Sequence, residues 1–238
     1  MKRPHVTCYL NVSAEGHIDG EFMKAEASEK ATAVFRQRWL DMEPDAVIYG
    51  SSTMALFSGG RLKDPLPEAK EHFKREDFKA PGDFRRYYVA INTRGGLAYE
   101  SNTIDKKGRG PHGVIHALTE NAPDSYIAYL REKGISYVFC GEKEFDPEVL
   151  LCKLYEIFGI RKAILSGGAY ADWTFLSHGL IDEITTMYLP CVDGGESHTL
   201  FKKTENDRTP PIALKLISAE KTEGDGLMVT YRPLNIRE

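Results

Sequence analysis

Three observations in the 238-residue chain predict an α/β fold: a mostly parallel central sheet with helices on both faces and a C-terminal antiparallel hairpin. Apolar strand-like runs alternate with helix-period segments along most of the length. Several of these runs, such as Ala163-Ile164-Leu165, are apolar throughout, as in strands buried on both faces. The last two strand-like segments flank Glu223-Gly224-Asp225-Gly226, a turn that suits a hairpin.

Residues 6–12 predict the first strand, 28–42 an amphipathic helix capped by Ser28, and 46–49 the second strand. Residues 57–84 are polar and carry Gly and Pro without clear period; they predict an excursion near the active site, with room for one helix. A strand over 87–91 ends in the turn Thr93-Arg94-Gly95-Gly96. Further strands are expected at 114–118, 136–140 and 163–165, and helices at 124–133 and 146–158. After 163–165 come the turn Ser166-Gly167-Gly168-Ala169, a helix through about Leu176, and an alternating strand ending at Pro190. Residues 212–219 and 227–232 complete the hairpin. No repeat, low-complexity tract or clear linker interrupts this order, so the expectation is one domain over 1–238.

Hydrophobic residues make up 42% of the chain, enough for a sizeable core. The net charge of -4 and the lack of an obvious basic patch argue against nucleic acid as a partner. No segment approaches a membrane span, and the first residues lack a signal peptide's basic start and apolar core, which leaves the cytosol as the expected location. None of the four cysteines forms a Cys-x-x-Cys pair; free, largely buried thiols are expected.

Some motifs fail on context. Gly108-Arg109-Gly110-Pro111-His112-Gly113 spells G-x-G-x-x-G, but a polar run precedes it and a strand follows, where the dinucleotide fingerprint needs a strand before it and a helix after it. Pro111 also removes a backbone donor. His112 and His116 have metal-helix spacing on a strand-like run with no third ligand nearby, so no metal is expected. Neither a nucleophile elbow nor a Walker loop is present.

The Gly167-Gly168 turn survives. It joins a strand to a helix, so its N–H groups lie at a positive helix end that suits a phosphate, and glycine lets that phosphate approach the main chain. Gly50-Ser51-Ser52-Thr53 is a second strand-to-helix turn, and Thr93-Arg94 follows a third strand. In a doubly wound sheet such turns share the carboxyl edge where ligands bind.

The order Gly167-Gly168, Phe175-Leu176, Gly179-Leu180-Ile181-Asp182-Glu183, Pro190, Gly194-Gly195 and Leu200-Phe201 resembles the reductase domain of riboflavin biosynthesis. That is the C-terminal domain family of the bacterial bifunctional deaminase-reductase, in the dihydrofolate-reductase-like superfamily. Arg3-Pro4-His5-Val6-Thr7 with Asn11 to Ile18 is similar to the family's first strand and Ser-x-Asp-Gly loop. Residues 45–54 are similar to its second strand and cofactor turn.

The resemblance implies an NADPH-dependent reductase passing hydride to a ribosylaminopyrimidine phosphate, of the 5-amino-6-(5-phosphoribosylamino)uracil reductase type. It implies that Ser166, Gly167, Gly168, Ala169 and Tyr170 hold the pyrophosphate. Gly50, Ser51, Ser52, Thr53, Thr93 and Arg94 then lie by the adenosine phosphate. The absence of Asp or Glu from these last turns favours a 2′-phosphate, and hence NADPH over NADH. Asn11, Ser13 and Asp19 would border the substrate, and Glu15 could donate a proton if a closed site raised its pKa. Relatives pair through their sheets, which implies a homodimer.

Two positions depart from the family pattern: Glu15 stands where an Asp is usual before Gly16, and Ser166 where a Glu precedes the double glycine. Two alternatives therefore stay open. One is a reductase of a pterin, imine or carbonyl compound on the same fold; the other is a non-catalytic nucleotide-binding protein.

Overall fold

The first strand, β1 (His5–Val12), is buried along nearly its whole length and pairs in parallel with two strands that come much later in the chain. The structure is a computed structural model and describes residues 2–106 and 110–234. Two compact units make up the chain: Asp45–Arg161 with the first four residues, and His5–Pro44 with Lys162–Glu238.

In the second of these units β1 lies between β7 (Lys162–Leu165) and β8 (Glu183–Tyr188), all parallel. The antiparallel strands β10 (Leu227–Pro233) and then β9 (Leu214–Lys221) continue from β8, as the hairpin pattern predicts. Helix α1 (Glu29–Asp41) buries Ala31, Phe35 and Trp39, and Phe35 stacks on Tyr9 of β1 with ring centroids 4.2 Å apart. Ser28 does stand at the N-cap of α1, but it makes no side-chain cap. Single 3-10 turns at Glu21–Lys24 and Glu26–Ser28 lead into the helix and leave Ser28 with helical dihedrals, where a capping residue is extended. Helix α5 (Ala169–Ser177) follows β7.

In the other unit β3 (Tyr87–Ile91) pairs in parallel with β2 (Ala46–Gly50) on one side and β5 (Gly110–Leu118) on the other. Along its outer side β5 carries β4 (Thr103–Lys106), antiparallel, and β6 (Ser136–Phe139), parallel. The polar β4 has no apolar run to announce it; Ile104 alone is buried. Helices are α2 (Ser51–Ala55), α3 (Asp124–Glu132) and α4 (Pro147–Phe158). Helix α4 shows its signals in full: Asp146 accepts from the N–H groups of Glu148 and Val149, Pro147 opens the first turn, and Gly159 ends the helix at φ 72°.

No helix forms over 57–84. Backbone and side-chain bonds hold that segment in place of a helix. Gly59 and Leu62 donate to Ala98 and Gly96, Phe78 and Tyr137 exchange backbone bonds, and Asp77 accepts from Phe139 N and Lys153 Nζ. Among the described residues no helix is long and apolar enough to cross a membrane. The G-x-G-x-x-G letters fall partly outside the described residues, at Gly108 and Arg109; Gly110 to Gly113 belong to β5.

Candidate active site

Strand β7 ends at Leu165, and the half-buried Ser166 leads into Gly167, which has φ 89°. The Gly167–Gly168 peptide is cis, and Gly168, extended, is the N-cap of α5. A glycine N-cap has no side chain to offer, and no side-chain cap hydrogen bond is made there. The N–H groups of the first turn of α5 have no intrahelical acceptor. This opening suits a pyrophosphate, since donors and dipole favour negative charge.

In the same unit, two loops are stitched together. Residues 13–18 turn tightly: Ser13 N donates to His17 O at 2.9 Å, and Ser13 Oγ accepts from His17 N at 3.1 Å. Gly16, at φ 91°, donates to Ser13 O. Across to the second loop, Ala14 N donates to Cys191 O and Ile18 N to His198 O. Glu15 is the strongest stitch: its Oε1 accepts from Asp193 N at 2.9 Å and Gly194 N at 2.8 Å. These bonds, Gly194 first, hold its carboxyl at a pKa of about 2. A proton donor needs a raised pKa, so the geometry moves Glu15 opposite to the expectation. The second loop in turn touches the start of α5. Lys202 N donates to Ala169 O at 3.1 Å, and the Tyr170 and His198 rings meet edge to face at 5.7 Å.

Asn11 lies at the carboxyl end of β1, paired with Met187, and its Oδ1 is buried with no hydrogen-bond partner among the described residues. Ser13 is fully buried and spent on the loop, whereas Asp19 is exposed. One residue escaped the sequence reading: Asp172, fully buried in α5, whose Oδ1 accepts from Gly167 N at 3.2 Å. Its spacing from Ala169 and Leu176 on the buried stripe of α5 was the available signal.

The other unit brings the remaining expected residues together. Gly50 and Ile91 are in register on β2 and β3, so the Gly50–Thr53 turn and the Thr93–Arg94 turn leave adjacent strand ends. Arg61, from the segment expected to be irregular, forms a bridge to Leu97 and donates to Ser51 Oγ at 3.5 Å. The second turn is rigid underneath: Thr119 N donates to Thr93 O at 2.8 Å, and a Cβ on Gly95 would lie 2.4 Å from the Tyr126 ring.

The two histidines of β5 pack inside this unit. His112 stacks on Tyr88 at 4.3 Å, and His116 Nε2 lies 2.6 Å from Tyr99 Oη, its pKa pushed down to about 3 by burial. Among the described residues no group of three His, Cys, Asp or Glu could hold a metal ion. All four cysteines are free; Cys8 and Cys140 are buried, and Cys152 and Cys191 half-buried.

Comparison with known proteins identifies the family and the fold. The chain matches the RibD C-terminal domain over residues 4–228. A 2,5-diamino-6-ribosylamino-4(3H)-pyrimidinone 5′-phosphate reductase of Aquifex aeolicus is 36% identical over 99 residues, which are 39% of this chain and 44% of that protein. The protein of the same name from Methanothermobacter thermautotrophicus is 26% identical over 227 residues, 94% of this chain and 97% of the relative. Among solved structures, RibD of Acinetobacter baumannii superposes with a TM-score of 0.62 at 17% identity, over 97% of this chain and 58% of that one. The chain thus spans a little over half the length of that RibD, and the likeness extends to the mixed, mostly parallel α/β fold. With a family match running from Pro4 to Met228, this chain belongs to the RibD C-terminal domain family.

Proposed function

We propose that the chain is an NADPH-dependent reductase that passes hydride to a ribosylaminopyrimidine phosphate, the class of reaction for which its two relatives are named. The observation that carries this reading is the uncapped N-terminus of α5 behind Gly167-Gly168, in the same unit as the loops stitched by Glu15. Bound NADPH supplies the hydride.

The chain's own residues bind, orient and exclude water. Ser166, Gly167, Gly168, Ala169 and Tyr170 are assigned to the pyrophosphate. The family resemblance assigns Gly50, Ser51, Ser52, Thr53, Thr93 and Arg94 to the adenosine 2′-phosphate. Asn11 and Asp19 are assigned to border the substrate, and Asn11 Oδ1, without a hydrogen-bond partner among the described residues, supplies an acceptor for a substrate N–H or O–H. The buried Ser13, bonded to His17, shapes the loop beneath them. Glu15, held as a carboxylate, closes the loops over the site instead of donating a proton. A homodimer in the cytosol completes the reading. Strand β9 is exposed along its whole length and presents Leu214, Leu216 and Ile217 at the edge of its sheet. A monomer mass from light scattering would remove that part.

The direct test follows reduced-nicotinamide absorbance with the diaminopyrimidinone and aminouracil ribosylamino phosphates in parallel. Oxidation with one of them is expected. Oxidation only with a pterin, imine or small carbonyl compound would reassign the acceptor, the outcome favoured by Ser166 in place of the family Glu. For the cofactor, Arg94→Ala should weaken NADPH about ten- to hundredfold, the worth of a charge-assisted bond, and leave NADH nearly untouched. Equal binding of both cofactors by the unmodified protein would defeat the 2′-phosphate assignment.

A further inference from the structure

Asp172 has no role in the reading above, yet it is fully buried directly behind the glycine turn. Its carboxyl reaches back along its own helix to accept the Gly167 N–H, while its backbone N–H donates to Gly168 O at 3.0 Å. The backbone bond is the ordinary first bond of α5, and the bond from Gly167 N–H is what the Asp172 side chain adds to the turn. Its second oxygen, Oδ2, is buried with no hydrogen-bond partner among the described residues.

We propose that Asp172 is a positioning residue for anion binding: it draws the Gly167 N–H inward and so presents the first-turn N–H groups of α5, beginning at Ala169, to the cofactor's pyrophosphate. This inference rests on the reading of that turn as the cofactor seat. A turn already set in this shape spends no binding energy on ordering itself when the ligand arrives.

The charge of the group is consistent with this role. Burial pushes the Asp172 carboxyl well above the usual carboxylate range, which favours its neutral form. A carboxylate at the positive end of α5 would compete with the incoming phosphate; a neutral acid keeps the acceptor and removes the repulsion. Cys8 of β1 is a titratable neighbour; burial first, and the Asp172 carboxyl second, raise its thiol.

An amide has the same carbonyl oxygen for Gly167 N–H, whereas leucine fills the volume with no acceptor. The test is calorimetric titration of NADPH with steady-state kinetics on Asp172→Asn and Asp172→Leu. Asp172→Asn should keep the Kd for NADPH within about threefold. Asp172→Leu should raise that Kd, and the KM for NADPH, about tenfold or more, with kcat at saturating cofactor little changed. If the leucine variant is unfolded, Asp172→Ala is read in the same way. A folded Leu or Ala variant that binds NADPH like the unmodified protein overturns the role, as does an Asn variant that loses as much as Leu. No NADPH binding by the unmodified protein would be a different failure, overturning the cofactor reading and this inference with it.

Discussion

Two acidic side chains in one unit both accept from backbone N–H groups, and their pKa values move in opposite directions. Glu15, on the rim, accepts two bonds at 2.9 and 2.8 Å from Asp193 and Gly194, and its pKa falls to about 2. Asp172, inside, accepts one bond at 3.2 Å from Gly167, and its pKa rises well above the ordinary value. Solvent makes the difference. A carboxylate near water keeps its hydration and gains the N–H bonds; a fully buried one loses hydration that a single N–H bond does not replace. Glu15 therefore clamps the loops as a carboxylate, while burial favours the neutral form of Asp172 beneath the glycine turn.

The comparison breaks most completely at the turn itself. Gly168→Val places a branched side chain where the pyrophosphate is assigned to meet the backbone, and should weaken NADPH at least about a hundredfold with modest loss of stability. Calorimetry showing unchanged affinity would leave Asp172 with no anion seat to position.

A smaller effect separates the two groups by pH. The folded-state pKa of Asp172 is raised, so its contribution to stability is full below the unfolded value near 4 and declines as pH rises toward the folded value. The decline is about 1.4 kcal/mol per pH unit, and Asp172→Asn should remove it. Denaturant unfolding of both proteins from pH 4 upward measures the difference; parallel curves would mean that Asp172 ionises on the same terms folded and unfolded. Glu15 has the opposite sign. Its lowered pKa contributes stability that is present above about 4.5 and lost as pH falls toward about 2. Glu15→Gln should flatten that acid limb.

The smallest expected effect sharpens the contrast most. At neutral pH Glu15→Gln should change kcat less than about threefold, because a clamp oxygen remains. Loss of a true proton donor costs roughly a hundredfold or more. A fall of that size in single-turnover rate would restore Glu15 as the acid.

The scaffold of this comparison was legible in the chain. Apolar runs marked β1, β2, β3 and β7, and Asp146, Pro147 and Gly159 marked α4, because these signals act through neighbours in sequence. The polar strand β4 and the segment 57–84 were not legible. Their partners are distant: β4 is defined by pairing with β5, and Phe78 by exchange with Tyr137. Ser28 stood at the right place for a cap, but the 3-10 turns before it set dihedrals that no local pattern announces.

Gly167-Gly168, the alternation of strands and helices and the late hairpin were determined by the sequence alone, since glycine's freedom and the periods of apolar side chains are properties of a few adjacent residues. The family match over 4–228 extends that reading along nearly the whole chain. The opposite pKa shifts of Glu15 and Asp172 were decided only by the tertiary structure. Each is one acidic letter in a string, and its charge depends on solvent and on N–H groups supplied by the fold: Asp193 and Gly194 for Glu15, the interior behind β7 for Asp172. Burial and distant hydrogen bonds exist only once the chain has folded, so the chemistry of these two acids could not be read before it.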